Sequence, residues 1–210
     1  MDKNTIPLLL VKHLSRDLVL NVEELLEAGA KRAFDKAKGM DDGHLPNVVG
    51  TLRHFDMNEG FSAALSAADA SPTPLKGNKL VVGTAGIFRL ARMNVRQGPW
   101  YNARRSTQRR ELAELNAAME QLVSPGLFES KRPITEASVF FVGIFSSSLK
   151  DGEKPLDIEL AVPDRNMSGW LFRESVSLFV QRYNHVTKQP DLAVPQLKVQ
   201  KQTGSTPQGT

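Results

Sequence analysis

The sequence predicts an α+β fold: an N-terminal helical pair, then a small, mainly antiparallel sheet with two packed helices and a disordered C-terminal tail. Three observations carry this. Val22, Leu25, Leu26, Gly29, Ala30, Ala33 and Phe34 recur at helical spacing and share one face. Two strand-like runs, SVFFVGIFS from Ser138 and LDIELAV from Leu156, lie close together in the second half. Between the halves, ASPTPLKGN (Ala70 to Asn78) is proline-rich and polar. The expected division is residues 1–70 as a helical region, 71–78 as a linker, 79–186 as an α+β core and 187–210 as the tail.

Composition bounds the rest. The chain has 210 residues, of which 40% are hydrophobic, enough for a real core. It has no cysteine, which excludes disulfides, thiolate metal sites, iron–sulfur clusters and cysteine nucleophiles. The apolar run Ile6 to Val11 is too short for a signal sequence. No stretch approaches the roughly 18 apolar residues of a membrane span. A cytoplasmic protein without a membrane partner is expected.

Taken in order, Leu8 to Val11 reads as a short buried strand or the start of a helix. The next helix takes Asn21 as its N-cap, with Glu23 and Glu24 in its first turn, and ends at Lys36, Lys38 and Gly39. A second helix is predicted from Pro46 to Asp69, where Gly50 and Gly60 lower its intrinsic propensity. A strand followed by two helices is similar to the order of a ribbon-helix-helix DNA-binding unit. Leu80 to Val82 and Ile87 to Val95 read as a bent strand or hairpin around Gly83 and Gly86. A helix is expected from Thr107 to Val123, capped by Ser106 or Thr107, with Leu112, Leu115, Met119 and Leu122 on one stripe. In the second strand run, Leu156, Ile158, Leu160 and Val162 share one face. Ser168 is the expected cap of a last helix reaching about His185, with Phe172, Val176, Phe179, Val180 and Tyr183 as its apolar stripe.

The charge pattern points to function. The chain is +4 overall, yet Arg89, Arg92, Arg96, Arg104, Arg105, Arg109 and Arg110 place seven positive charges between residues 89 and 110, where no carboxylate occurs. A guanidinium offers a planar fork of donors that suits phosphate oxygens. Trp100 and Tyr101 sit among these arginines, and flat rings beside cations suit stacking on bases. Gly98-Pro99 marks a turn, so four of the arginines cluster at the start of the following helix. A helix N-terminus already carries partial positive charge, and a phosphate would answer it. The alternatives are a solvated face paired with Glu111, Glu114 and Glu120, or a protein-binding surface.

Other constellations are sparser. The stretch SSSLKDGEKPLDIELAV, Ser146 to Val162, resembles the signature of the DNA polymerase β-like nucleotidyltransferases. That resemblance implies a serine turn holding nucleotide phosphates at Ser147, and two metal-binding carboxylates at Asp157 and Glu159. Carboxylates two apart on a strand face the same side, so both reach one Mg²⁺. Ser146 stands where that family has glycine. His13, His44, His54 and His185 show no zinc spacing. Arg182 and His185 have the spacing of an RNase-like pair.

The leading expectation is a non-enzymatic nucleic-acid-binding accessory or regulatory protein of bacterial type, without cofactor, DNA-binding or RNA-binding, and a possible homo-oligomer. The rivals are a metal-dependent nucleotidyltransferase using Asp157 and Glu159, and an oligomerising or partner-binding protein.

Overall fold

The structure is a computed structural model that describes residues 5–98, 101–123, 133–148 and 152–186. The expected tail, 187–210, lies outside the described residues. The fold is α+β. Helices α1 (Thr5–His13), α2 (Arg16–Ala37) and α3 (Leu45–Ala67) come first. Strands β1 (Gly83–Ala85) and β2 (Phe88–Arg96) follow, then a 3-10 turn (Tyr101–Arg105), α4 (Thr107–Glu114) and α5 (Ala117–Val123). Next come β3 (Ala137–Phe145), β4 (Asp157–Pro163), β5 (Trp170–Ser175), α6 (Val176–Phe179), a second 3-10 turn (Val180–Arg182) and α7 (Tyr183–Val186).

The opening segment is a helix, not a strand. Ile6 and Leu10 are buried while Leu8 is 58% exposed, the spacing of a helix face. Among the described residues the chain therefore opens on three helices, not on a strand and two helices. The next helix starts six residues before the expected Asn21 cap: the Ser15 hydroxyl accepts from the Leu18 amide at 3.1 Å and so caps α2. It ends as expected at Lys38, with Gly39 following at a φ of +99°.

Helices α2 and α3 pack very closely, and one glycine on each, Gly29 and Gly60, permits it. A Cβ on Gly60 would stand 2.4 Å from the Leu25 carbonyl oxygen. A Cβ on Gly29 would stand 2.7 Å from that of Asp56.

The sheet has five strands in the order β1-β2-β3-β4-β5. The β2–β3 pair is parallel and the other pairs are antiparallel. A parallel pair needs a crossover, and the segment carrying α4 and α5 supplies it. One face of the sheet (Phe88, Leu90, Val139, Phe141, Leu160 among others) packs on α2 and α3 in a core that also takes in α1. The rings of Phe61 and Phe141 meet edge-on at 5.9 Å. On the opposite face, Ala91, Met93, Phe140, Val142 and Ala161 pack against Ala103 and Ala113.

Three sequence expectations need correction. First, the strand expected at Leu80 to Val82 falls at Gly83–Ala85, and the Val82 carbonyl accepts from Thr73. Second, the helix expected to run unbroken from Thr107 to Val123 breaks at Leu115 and Asn116. Asn116 is fully buried there. Its amide nitrogen donates to the Pro163 carbonyl at 2.9 Å, and its oxygen accepts from the Ser138 amide at 2.7 Å. Serving the sheet backbone outweighs continuing the helix. Third, Trp170 to Ser175 is a strand. It fills the free edge of β4, with Ala161 opposite Arg173, and Ser175 caps the short helix that follows. The Ser168 hydroxyl instead donates to Asp164 at 2.7 Å.

Candidate functional site

Alternation along β2 decides where its arginines go. Phe88 and Leu90 face the core under the N-terminal helices, so Arg92, Asn94 and Arg96 follow on that side. Arg92 is only 3% exposed. Its Nε donates to Asn58 Oδ1 at 2.9 Å, Nη2 to the His54 carbonyl at 2.5 Å and Nη1 to Asn94 Oδ1 at 3.3 Å. Every acceptor is neutral. Burial, and then the nearby charge of Arg109, push the Arg92 pKa down to about 9.

Arg109 reaches the same region from α4. The Ser106 hydroxyl caps α4 by accepting from the Arg109 amide, as expected. Gln108 accepts from the Leu80 amide at 3.1 Å and docks the start of α4 near the sheet edge. The Arg109 Nε is buried without a hydrogen-bond partner among the described residues, and burial lowers its pKa. His54 responds to both cations: burial first, then Arg92 and Arg109, hold its pKa below the ordinary value, against a smaller opposing hydrogen bond with the Asn78 backbone.

Arg53, one residue earlier on α3, lies over the Phe145 ring with its guanidinium carbon 4.1 Å from the centroid. Its Nη2 donates to the Gly152 carbonyl, while its Nε is buried without a partner among the described residues. Burial and then the charge of Arg96 bring its pKa down to about 10. The loop carrying Gly152 is strapped to α2 by the ion pairs Lys31–Glu153 and Lys154–Glu27. Arg53, Asn94, Arg96, Phe145, Ser146 and Gly50 line a cavity of about 220 Å³. A second hollow of about 350 Å³, lined by Asn47, Thr51, His54 and Asn78, adjoins it through Pro46 and Gly50.

The seven arginines expected to act together do not share one surface. Arg92 lies beneath the surface, out of reach of a macromolecule. Arg89 points to the other face of β2, where its Nε meets Glu136 at 2.5 Å and its Nη1 meets Thr84. Arg96, Arg104, Arg105 and Arg110 are exposed. Arg104 donates through Nε to the Met167 carbonyl at 2.7 Å, and Arg110 donates to Thr107. Trp100 and the side chain of Tyr101 lie outside the described residues.

The other constellations are engaged structurally. Glu159 is ion-paired with Arg173, whose guanidinium lies over Trp170 at 5.6 Å. Asp157 has its pKa raised, by burial first. Among the described residues no group of three His, Cys, Asp or Glu is placed to hold a metal ion. Ser147 lines the cavity, and Ser146 accepts from the Ser148 amide. Arg182 forms a two-pronged pair with Glu174, at 2.7 and 2.8 Å, and the His185 side chain is outside the described residues.

Sequence reasoning passed over Arg53 and Asn58, and weighed His54 only against zinc spacing. The His54–Asn58 spacing of four residues was the available signal, since it puts both on one face of α3.

No family model matches this chain, and comparison with curated proteins and with solved structures found no match. Among the described residues no helix is long and apolar enough to cross a membrane.

Proposed function

We propose that this protein binds nucleic acid without acting on it chemically, as an accessory or regulatory factor. One observation carries the reading. Of the seven arginines between residues 89 and 110, only Arg89 forms an ion pair among the described residues. Arg96, Arg104, Arg105 and Arg110 are exposed cations left for an outside anion. Phosphate contacts are assigned to these four. Arg89 and Arg92 drop out, because one is neutralised and the other is buried. A cytoplasmic setting goes with this reading.

The pI of 9.4 and the local charge excess favour association with a polyanion at neutral pH. The experiment is fluorescence anisotropy with labelled single-stranded and duplex DNA and RNA at low salt. Binding that a high-salt wash reverses is expected. No affinity for any of the four would remove the proposal.

A further inference from the structure

Arg53 and Arg96 line the cavity between α3 and the C-terminal ends of β2 and β3; buried Arg92 is bonded to the lining residue Asn94, and Arg109 lies close enough to Arg92 to act on its charge. None of the four forms an ion pair among the described residues. Hydrogen bonds from Arg92 to Asn58, Asn94 and the His54 carbonyl engage each of its three nitrogens but leave its charge standing. Gathering like charges out of water is costly without a counter-charge. The buried Nε atoms of Arg53 and Arg109 are donors that lack an acceptor among the described residues.

We propose that this cavity is a binding site for a phosphate monoester group, held by Arg53 and Arg96, with Arg92 and Arg109 adding positive potential from behind. The lining supports that ligand class. Asn94, Ser146 and Ser147 add neutral hydrogen-bonding groups, and among the described residues no carboxylate lines the cavity. Its volume of about 220 Å³ is below the ~300–1,000 Å³ of pockets that enclose whole drug-sized ligands, so it takes a group and not a large molecule. A monoester carries close to two negative charges and three terminal oxygens at neutral pH, which suits several converging forks of donors. Gly50 lines the cavity, and a Cβ there would meet no atom within 4 Å. Packing therefore leaves room at this position for a larger residue.

The site goes beyond strand binding at the surface, because Arg104, Arg105 and Arg110 take no part in its lining. A monoester is found at the phosphorylated end of a strand and in small phosphorylated molecules, and the test separates these sources.

The His54 imidazole resonances are followed by NMR against pH, with and without inorganic phosphate, in the wild type, Gly50→Leu and Arg53→Gln. Binding calorimetry accompanies them. Phosphate is expected to raise the His54 pKa in the wild type, since an anion nearby favours the imidazolium. Gly50→Leu fills the cavity without removing a charge and is expected to weaken phosphate binding at least about tenfold, as is Arg53→Gln, from the loss of charged hydrogen bonds. Oligonucleotides of one sequence with a 5′-phosphate or a 5′-hydroxyl are then compared. A wild-type preference for the phosphorylated end that disappears in Gly50→Leu supports the site and assigns it to strand ends. Equal affinity for both, with His54 still responding to phosphate, supports the site and assigns it to a small phosphomonoester. A His54 pKa unmoved by millimolar phosphate and by the phosphorylated strand overturns the proposal. So does a folded Gly50→Leu variant that binds phosphate like the wild type.

Discussion

The Nε of Arg92 donates to Oδ1 of Asn58 at 2.9 Å, and both side chains are buried. Asn58 also bridges to the Lys79 carbonyl at 3.4 Å and to His54 at 3.3 Å. A neutral amide thus holds a buried cation under α3. Asn58→Leu removes the acceptor and leaves a charged donor unsatisfied. Chemical denaturation should show a loss of roughly 3 kcal/mol. A loss below about 0.5 kcal/mol, typical of an uncoupled surface change, would contradict this role.

Two glycines on α3 should respond oppositely. Gly60→Ala drives a methyl into the Leu25 carbonyl and should cost roughly 1–3 kcal/mol. Gly50→Ala meets open space and should stabilise the helix by about 0.5–1 kcal/mol. Thermal unfolding of the two variants checks both signs.

Asn116→Ala strands the Ser138 amide and the Pro163 carbonyl, both bonded to this side chain in the interior. Each buried unsatisfied group costs about 1–3 kcal/mol, so a loss of roughly 2–5 kcal/mol is expected on denaturation. A variant as stable as the wild type would show that the break between α4 and α5 has another cause.

His54 makes stability depend on pH. Burial and the charges of Arg92 and Arg109 hold its folded pKa below the ordinary 6.5. The unfolded chain therefore takes up the proton first as pH falls. The stability linked to neutral His54 is fully present above 6.5 and is lost as pH drops through the folded value. Urea unfolding at pH 7 and pH 5 should show a steeper loss in the wild type than in His54→Gln. Equal losses would contradict the shift.

The sequence exposed those parts of the fold whose pattern is local. The alternation of Ile158, Leu160 and Val162 marked β4, and the stripe from Val22 to Ala33 marked the packed face of α2. It misled where a distant partner decides the outcome. Phe172, Val176 and Phe179 fit helical spacing, yet residues 170–175 pair with the open edge of β4. Asn116 sits within an apolar stripe, yet its amide serves two strands. The site divides the same way. The arginine excess was legible, but nothing in the spacing separates Arg92, drawn inward by Asn58 and Asn94, from Arg96, left at the cavity wall. Arg53 lies far away in sequence and joins the cluster only because α3 crosses the end of β2.

Phosphate contact by the exposed arginines is read from the salt dependence of oligonucleotide affinity in the wild type, in Arg89→Ala and in the combined Arg96→Ala, Arg104→Ala, Arg105→Ala and Arg110→Ala variant. In the wild type, the logarithm of the affinity for a single strand should fall linearly with the logarithm of salt concentration. The combined variant should lose roughly 0.7 from that slope for each phosphate contact removed. Arg89→Ala should leave the slope near the wild-type value, because Glu136 already holds that charge. A combined variant that binds with the wild-type affinity and slope would contradict the account.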